Sequence, residues 1–175
     1  MPESLADVDV EDADPFRAAA LLSSLVICAS YLLPWARIDG PAESIDGGGA
    51  VVNLSTTLQA SVSASEISLF PELVVGVALA ALVAAAFRWT IFLQFIVGVL
   101  GLAAAFVALV MWAVISTDSQ SELVRVGNYA GLPSSFSPGI GLWLAIFGSL
   151  GLVLAGFAAA TRTYVQVKRL QAQQE

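Results

Sequence analysis

The stretch that decides the fold is PELVVGVALAALVAAAFRWTIFLQFIVGVLGLAAAFVALVMWAVIS, residues 71–116, where Arg88 is the one charged residue after Glu72. As a single straight helix its 46 residues would reach about 69 Å, whereas the hydrocarbon core of a bilayer is about 30 Å thick. An arginine at the centre of such a helix would cost roughly 2.5–3.5 kcal/mol. Both difficulties disappear if the chain turns at FRWT, 87–90. The stretch therefore predicts two spans, about 71–87 and 90–116, with Arg88 and Trp89 at the membrane surface.

Two further apolar blocks flank this pair, FRAAALLSSLVICASYLLPW at 16–35 and GIGLWLAIFGSLGLVLAGFAAAT at 139–161. Each has the roughly 20 residues that a transmembrane helix needs. Hydrophobic residues make up 58% of the 175-residue chain and charged residues 12%, about half the charge of an average soluble domain. We therefore predict an all-α integral membrane protein, a four-transmembrane-helix bundle over 16–161.

The first span ends in LLPWARIDG, 32–40. We interpret Pro34 as the end or a kink of the helix, Trp35 as an interfacial aromatic, and Arg37 and Asp39 as the first groups in water. The alternative, a buried helix of a soluble protein, would require the other apolar blocks to be buried as well. A cleavable signal peptide begins with a basic region, and this leader is acidic, so we expect a permanent anchor.

The two ends of the chain are predicted to lie in the cytoplasm. Basic residues near span ends set orientation, and five would then lie inside: Arg17, Arg88, Arg162, Lys168 and Arg169. Two would lie outside, Arg37 and Arg125. The acidic segment 1–15 is predicted to be a disordered tail, and the acidic balance, a net charge of -7, suggests a halophilic archaeon. Residues 162–175 are interpreted as a basic, polar tail that continues as a helix.

Two loops, 36–70 and 117–138, then lie outside the cell. Residues 58–65, LQASVSAS, alternate apolar and polar side chains as a strand does. The β-branched segment 50–57, AVVNLSTT, is predicted to pair with it, which gives a small β-containing cap of two or three strands. Asn53 begins an Asn-Leu-Ser triplet and is a candidate glycosylation acceptor; the alternative is an ordinary loop asparagine.

The spans offer little chemistry. Between their ends they contain no Asp, Glu, Lys, Arg or His, the chain has no histidine, and Cys28 is its one cysteine. These facts argue against Cys/His zinc sites, catalysis by a histidine base and charged ion pathways. We therefore predict no catalytic residue, no metal and no cofactor. Gln94 is the one strongly polar side chain inside the predicted spans. We expect it to form a hydrogen bond to a neighbouring helix; the alternative is a contact with a ligand.

Small residues recur every four positions on two of the spans: Gly76, Ala80 and Ala84 on the second, and Gly141, Ala145 and Ser149 on the fourth. Such stripes let helices approach closely in lipid. They serve either packing within the bundle or contact with another membrane protein. Large aromatic residues on other faces are expected to face lipid or fill gaps; they are Phe87, Phe92, Phe106 and Phe147.

The Leu33-Pro34-Trp35 motif after the first span, with Gly139, Gly141, Leu142, Trp143 and Gly148 in the fourth, resembles a loose group of small four-span membrane proteins of archaea and bacteria. The group is generally uncharacterised, so the resemblance implies four spans and no activity. The layout is also similar to that of claudins, although their paired loop cysteines and tryptophan motif are absent.

Three functional hypotheses follow. The first is a non-enzymatic structural or accessory subunit that binds a membrane partner or another copy of itself, with the lipid bilayer as its surroundings and no nucleic acid partner. The second is a transporter, channel or sensor for a small apolar or lipid-like ligand, with Gln94 or a serine as its polar group. The third is a membrane enzyme. It would need several carboxylates that converge at the membrane interface, and only the first outer loop offers several.

Overall fold

The computed structural model describes residues 14–45, 51–67, 70–87, 89–117 and 135–173, and over 38–45, 51–60, 66, 117 and 135–136 it describes the backbone alone. The helices are α1 Pro15–Ser30, α2 Phe70–Ala86, α3 Ile91–Thr117 and α4 Ile140–Ala172. The strands are β1 Pro34–Ile45, β2 Val51–Ser63 and β3 Ser135–Pro138, and a short 3-10 helix covers Ala64–Glu66. The described part of the chain is thus mostly helical, with a small sheet.

The four helices form a ring. Helix α1 packs against α2 and α4, and α3 packs against the same two neighbours. One end of the ring carries the sheet and is called the sheet end; the other holds the α2–α3 turn and is called the turn end. Many of the fully buried helical residues are small, among them Ala78, Ala81, Ala108 and Ala145. Small side chains bring the helix backbones close together, and many large apolar side chains are left on the outside.

The predicted reversal at 87–90 is confirmed, because α2 ends at Ala86 and α3 begins at Ile91. By length and composition, α3 and α4 could each cross a membrane, whereas α1 and α2 are shorter apolar helices. The aromatic side chains expected on outward faces are exposed: Phe87, Phe92, Phe106 and Phe147.

The first apolar block is not helical to its end, so the prediction for 16–35 is corrected. Helix α1 ends at Ser30, and a turn follows before β1 begins at Pro34. Trp35, expected at the membrane interface, is buried within the protein, and its indole nitrogen donates to the carbonyl of Ser30 at 2.9 Å. Two features oppose a longer helix: Pro34 disfavours helical geometry in the residue before it, and Pro34 pairs with Ser63 in the sheet.

The sheet is antiparallel with strand order β2-β1-β3. The strand predicted at 58–65 is present up to Ser63, but the pairing predicted within the loop is wrong. Segments 50–57 and 58–65 do not pair with each other, because 51–63 is one continuous strand. Its partner is β1, formed by the segment that reads as a polar, glycine-rich linker. The segment 117–138, predicted to be the second outer loop, contributes β3, which pairs with β1 from Ala36↔Pro138 to Asp39↔Ser135.

The predicted boundary at the start of the bundle shifts. Asp14 and Pro15, predicted to belong to an acidic tail, cap and begin α1. Residues 1–13 lie outside the described part. At the other end, α4 continues through the polar segment to Ala172, in agreement with the helical continuation expected for 162–175.

Glycines allow the closest approaches in the ring. A Cβ on Gly156 of α4 would lie 2.6 Å from the Cα of Gly98 in α3. A Cβ on Gly141 would lie 2.6 Å from Cδ1 of Trp35. By contrast, a Cβ on Gly76 of α2 would have no atom within 4 Å. The α3–α4 crossing therefore requires glycine, whereas the outer face of α2 does not.

We predict that Gly156→Ala lowers the stability of the bundle and that Gly76→Ala does not. Alanine favours a helix over glycine by about 1 kcal/mol, so Gly76→Ala is neutral or stabilising. In Gly156→Ala the same gain is outweighed by overpacking, which typically costs about 1–3 kcal/mol. Thermal unfolding of the two variants in detergent, followed by circular dichroism, measures the difference. Equal melting temperatures would contradict the close α3–α4 crossing.

Candidate functional site

The polar groups that connect the helices gather at the turn end, around Asp14. This residue is the N-cap of α1, and Pro15 follows at the first helical position, where the missing N–H and fixed φ of proline suit a helix start. Its Oδ1 accepts from the backbone N–H of Phe16 at 3.0 Å. Its Oδ2 accepts from the indole N–H of Trp89 at 2.9 Å. The α2–α3 turn is thereby bonded to the start of α1.

A cation stands beside this buried carboxylate. The Asp14 side chain is only 4% exposed, and Nη1 of Arg162 in α4 lies 4.0 Å from its Oδ1. The same guanidinium lies over the ring of Phe16, 5.9 Å from the centroid, within the range of a cation–π contact. A buried carboxylate is costly unless it is paired and hydrogen-bonded. Asp14 satisfies both conditions with groups from α1, the turn and α4.

Arg17 closes the C-terminal end of α2. Its Nε donates to the carbonyl of Ala85 at 2.9 Å, and its Nη2 donates to the carbonyls of Ala86 and Phe87 at 2.9 and 3.0 Å. The last carbonyls of a helix have no partner within it and carry partial negative charge. The arginine of α1 therefore satisfies acceptors of α2 and complements its dipole.

Gln94 makes the interhelical contact expected from its position in an apolar span. It is fully buried; its Nε2 donates to the carbonyl of Trp89 at 3.2 Å, and its Oε1 accepts from the hydroxyl of Thr163 at 3.2 Å. One amide thus connects the turn, α3 and α4. Both of its polar atoms are used inside the protein.

These contacts define a turn-end network of six side chains: Asp14, Arg17, Trp89, Gln94, Arg162 and Thr163. Its members come from α1, the α2–α3 turn, α3 and α4, and Arg17 extends it to α2. The chemistry of the network is structural. It holds one carboxylate and the chain has no histidine. Its polar atoms contact protein groups, although Arg162 also lines a cavity on α4.

A smaller set of polar contacts closes the sheet end. Besides its bond to Ser30, Trp35 accepts at its carbonyl from the N–H of Gly139 at 2.7 Å, just before α4. The buried serines bond within their own helices: Ser24 donates to Ala20 and Ser149 to Ala145, at 2.9 and 2.6 Å. They offer no free donor to a ligand in the bundle.

The two stripes of small residues have different surroundings. Gly141, Ala145 and Ser149 of α4 are all buried, next to α1. On α2, Gly76 and Ala80 are exposed and Ala84 is half-buried. The stripe of α4 is therefore used in internal packing, and that of α2 largely faces outward.

Asn53, the candidate glycosylation acceptor, lies in β2 opposite Glu43 of β1; its side chain is outside the described part. Within the described ranges, no group of three or more Cys, Asp or Glu side chains lies close enough together to hold a metal ion.

Sequence reasoning missed Asp14 and Trp89. Trp89 was expected at headgroup level, yet it is 2% exposed. The sequence does contain a signal for the role of Asp14 as a helix N-cap, because an aspartate followed by proline and an apolar run is typical of a helix start. Nothing local in the sequence indicates that Trp89, 75 residues away, is its partner.

We predict that Trp89→Phe destabilises the bundle by about 1.5–3 kcal/mol, the usual worth of a hydrogen bond to a charged group. The substitution keeps an aromatic ring in place but removes the donor to the buried Asp14 carboxylate. Trp112→Phe is the matched control, because Trp112 is exposed and contacts Trp143 through its ring. Denaturation in detergent compares the two; equal losses of stability would argue against the role of the indole N–H.

Comparison of the chain with protein-family models finds no matching family. Comparison with curated proteins finds no significant match either.

Proposed function

We propose that this chain is an integral membrane protein that crosses the bilayer four times. The support is the surface of the ring, where large apolar side chains are exposed on all four helices: Leu22 and Leu25, Leu79 and Val83, Phe95 and Leu102, Phe147 and Leu154. Soluble monomers rarely expose apolar patches beyond a few hundred Å². A bilayer removes this surface from water.

The two shorter helices, α1 and α2, also fit the proposed bilayer. At 1.5 Å per residue, the 16 residues of α1 reach about 24 Å and the 17 of α2 about 26 Å. Exposed apolar residues extend both, since Leu32 follows α1 and is 84% exposed, and Phe87 follows α2 and is 71% exposed. Both helices pack beside α3 and α4, so a layer that contains the long pair contains the short pair.

The turn end is proposed to face the cytoplasm. Contacts of the network bring Arg17 and Arg162 together at this end. Lys168 and Arg169 follow on α4, and Arg88 lies in the sequence of the turn. The sheet end carries Arg37. Basic residues concentrate on the cytoplasmic side of membrane proteins, so both chain ends are proposed to be inside and the sheet outside.

In this membrane the protein acts as a non-enzymatic structural or accessory subunit that binds a membrane partner. The observation that carries this proposal is the outward face of α2. Gly76 has open space around it and Ala80 is exposed, whereas the equivalent stripe of α4 is already covered. A small-residue face that nothing in the bundle covers is suited to close contact with another helix.

The alternative, a transporter, channel or sensor with Gln94 or a serine as its polar group, has less support. Gln94 is hydrogen-bonded at both ends inside the bundle. A cavity of about 710 Å³ among the described residues lies on α4, and neither Gln94 nor a buried serine lines it. The resemblance to four-span proteins of archaea and bacteria, and the halophilic host, remain predictions.

The four-span arrangement predicts the exposure of two engineered cysteines. In a Cys28→Ser background, Ser61→Cys in β2 should react with a membrane-impermeant maleimide in intact cells. Gln173→Cys, after α4, should react only once the cells are opened. Reaction of both positions from the same side, or a chain that stays in aqueous solution without detergent, would contradict the arrangement.

The proposed partner predicts an effect of filling the α2 face. Mild-detergent purification followed by mass spectrometry should recover a co-purifying membrane protein or a second copy of the chain. Gly76→Leu with Ala80→Leu should abolish this recovery without unfolding the protein, because both positions are exposed. Ala103→Leu, at an exposed position of α3, is the control and should retain it. A strictly monomeric, partner-free wild-type protein would contradict the proposal.

A further inference from the structure

The outer face of α4 changes from apolar to cationic along a single line of side chains. Leu154, Ala158, Arg162, Gln166 and Arg169 follow one another at spacings of four, four, four and three residues, so they share one face of the helix. They line the same cavity, which is about 710 Å³ in volume, is open to the surface over much of its extent and is lined by residues of α4.

The apolar half of the cavity is shaped by a fixed aromatic ring. Phe157 lines it and packs edge-on against Phe95 of α3, with 5.6 Å between the ring centroids. Leu154, one turn from Ala158, is largely exposed. This half offers apolar surface without a hydrogen-bonding group beyond the hydroxyl of Thr161, which donates to the carbonyl of Phe157 at 2.8 Å.

The cationic half is partly organised in advance. The Arg162 guanidinium is located by the ring of Phe16 and the carboxylate of Asp14. Its side chain is nevertheless 54% exposed, and its 4.0 Å contact with Asp14 is longer than a hydrogen bond. The contact therefore does not use up the guanidinium donors. Arg169 lies two turns further along the same face, and Gln166 between them adds an amide.

The dimensions of the two halves match one leaflet. From Leu154 to Arg162 the helix rises about 12 Å, and from Arg162 to Arg169 about 10 Å. One leaflet contributes about 15 Å to the hydrocarbon core. An acyl chain placed along Phe157 and Leu154 would bring its phosphate to the level of Arg162 and Arg169, where guanidinium groups bind phosphate oxygens in a bidentate manner.

We propose that this α4 cavity is a specific binding site for one anionic phospholipid of the leaflet at the turn end. The inference rests on the membrane placement proposed above and goes beyond it, because the site lies on α4 and not on the α2 face. Charge complementarity selects the occupant: an apolar half followed by two arginines fits a phosphate attached to a hydrocarbon chain. A free phosphate would leave the apolar half empty.

Native mass spectrometry of the full chain in detergent tests the site, with phosphatidylglycerol and phosphatidylcholine of identical acyl chains as ligands. The wild-type protein should bind one phosphatidylglycerol in preference to phosphatidylcholine. Arg169→Gln should weaken phosphatidylglycerol binding about fivefold, which corresponds to one basic residue near an anionic lipid. Lys168→Gln removes the same charge one position away, outside the cavity lining, and should change binding less than twofold.

A second pair of variants tests the apolar half. Ala158→Phe fills the cavity and should reduce the binding of both lipids, whereas Ala103→Phe, on an exposed face of α3, should not. All four substituted positions are exposed, and circular dichroism checks that each variant is folded. Millimolar inorganic phosphate should leave the bound phosphatidylglycerol in place.

Several results would overturn the proposal. Equal effects of Arg169→Gln and Lys168→Gln would mean general electrostatic attraction, and displacement by inorganic phosphate would mean a phosphate site. If a chain lacking residues 1–12 binds the lipid and the full chain does not, the acidic segment is the occupant. If the protein requires detergent and binds its partner but shows no preference between the two lipids, only the lipid site is overturned. If the protein is soluble in water without detergent, the membrane placement is overturned as well.

Discussion

The arrangement of the ring depends on one buried carboxylate. Apolar contacts between helices are non-directional, so the alanine-rich interior does not by itself fix which residues face one another. Asp14 does, because a charge that is 4% exposed must be paired and hydrogen-bonded. Its partners are the first turn of α1, the indole of Trp89 and the guanidinium of Arg162. Satisfying all three fixes the positions of α1, α4 and the α2–α3 turn relative to one another.

The two ends of the bundle use tryptophan in the same way. Trp89 donates to Asp14 at the turn end, and Trp35 donates to the carbonyl of Ser30 at the sheet end. In each case a large ring fills space while its N–H satisfies an acceptor of α1, which agrees with the general tendency of buried indoles to find a partner. Helix α1, the shortest of the four, is therefore held at both ends by polar bonds to buried rings.

The sequence was informative where a rule is local. Apolar block lengths and Arg88 gave the number of helices and the reversal at 87–90, and the alternation in LQASVSAS gave a strand. Prediction from the sequence failed where one residue type is common in two different environments. Trp35 and Trp89 stand at the edges of apolar blocks and so suggested a membrane interface, yet both are buried because of contacts from distant segments. Strand β1 was missed because its glycine, proline and acidic residues disfavour a strand, and only pairing with β2 and β3 overrides that preference.

For the candidate site, too, the sequence predicted what depends on local pattern and not what depends on packing between distant segments. Gln94 could be assigned an interhelical bond because an amide in an apolar span has few alternatives. Its partner Thr163, 69 residues away, follows only from the packing of α3 against α4. Likewise, the two small-residue stripes look equivalent in sequence. Only the positions of α1 and α3 show that the stripe of α4 is covered and that of α2 is open.

Helix α4 is one unbroken element of 33 residues, about 50 Å long, without a proline. Its first turn is attached to β1 through Gly139 and Trp35, and its last turns extend past Thr163 with their side chains exposed. Because α4 runs the whole length of the bundle, a single helix connects the polar contacts of the turn end to the hydrogen bond between Gly139 and Trp35 at the sheet end.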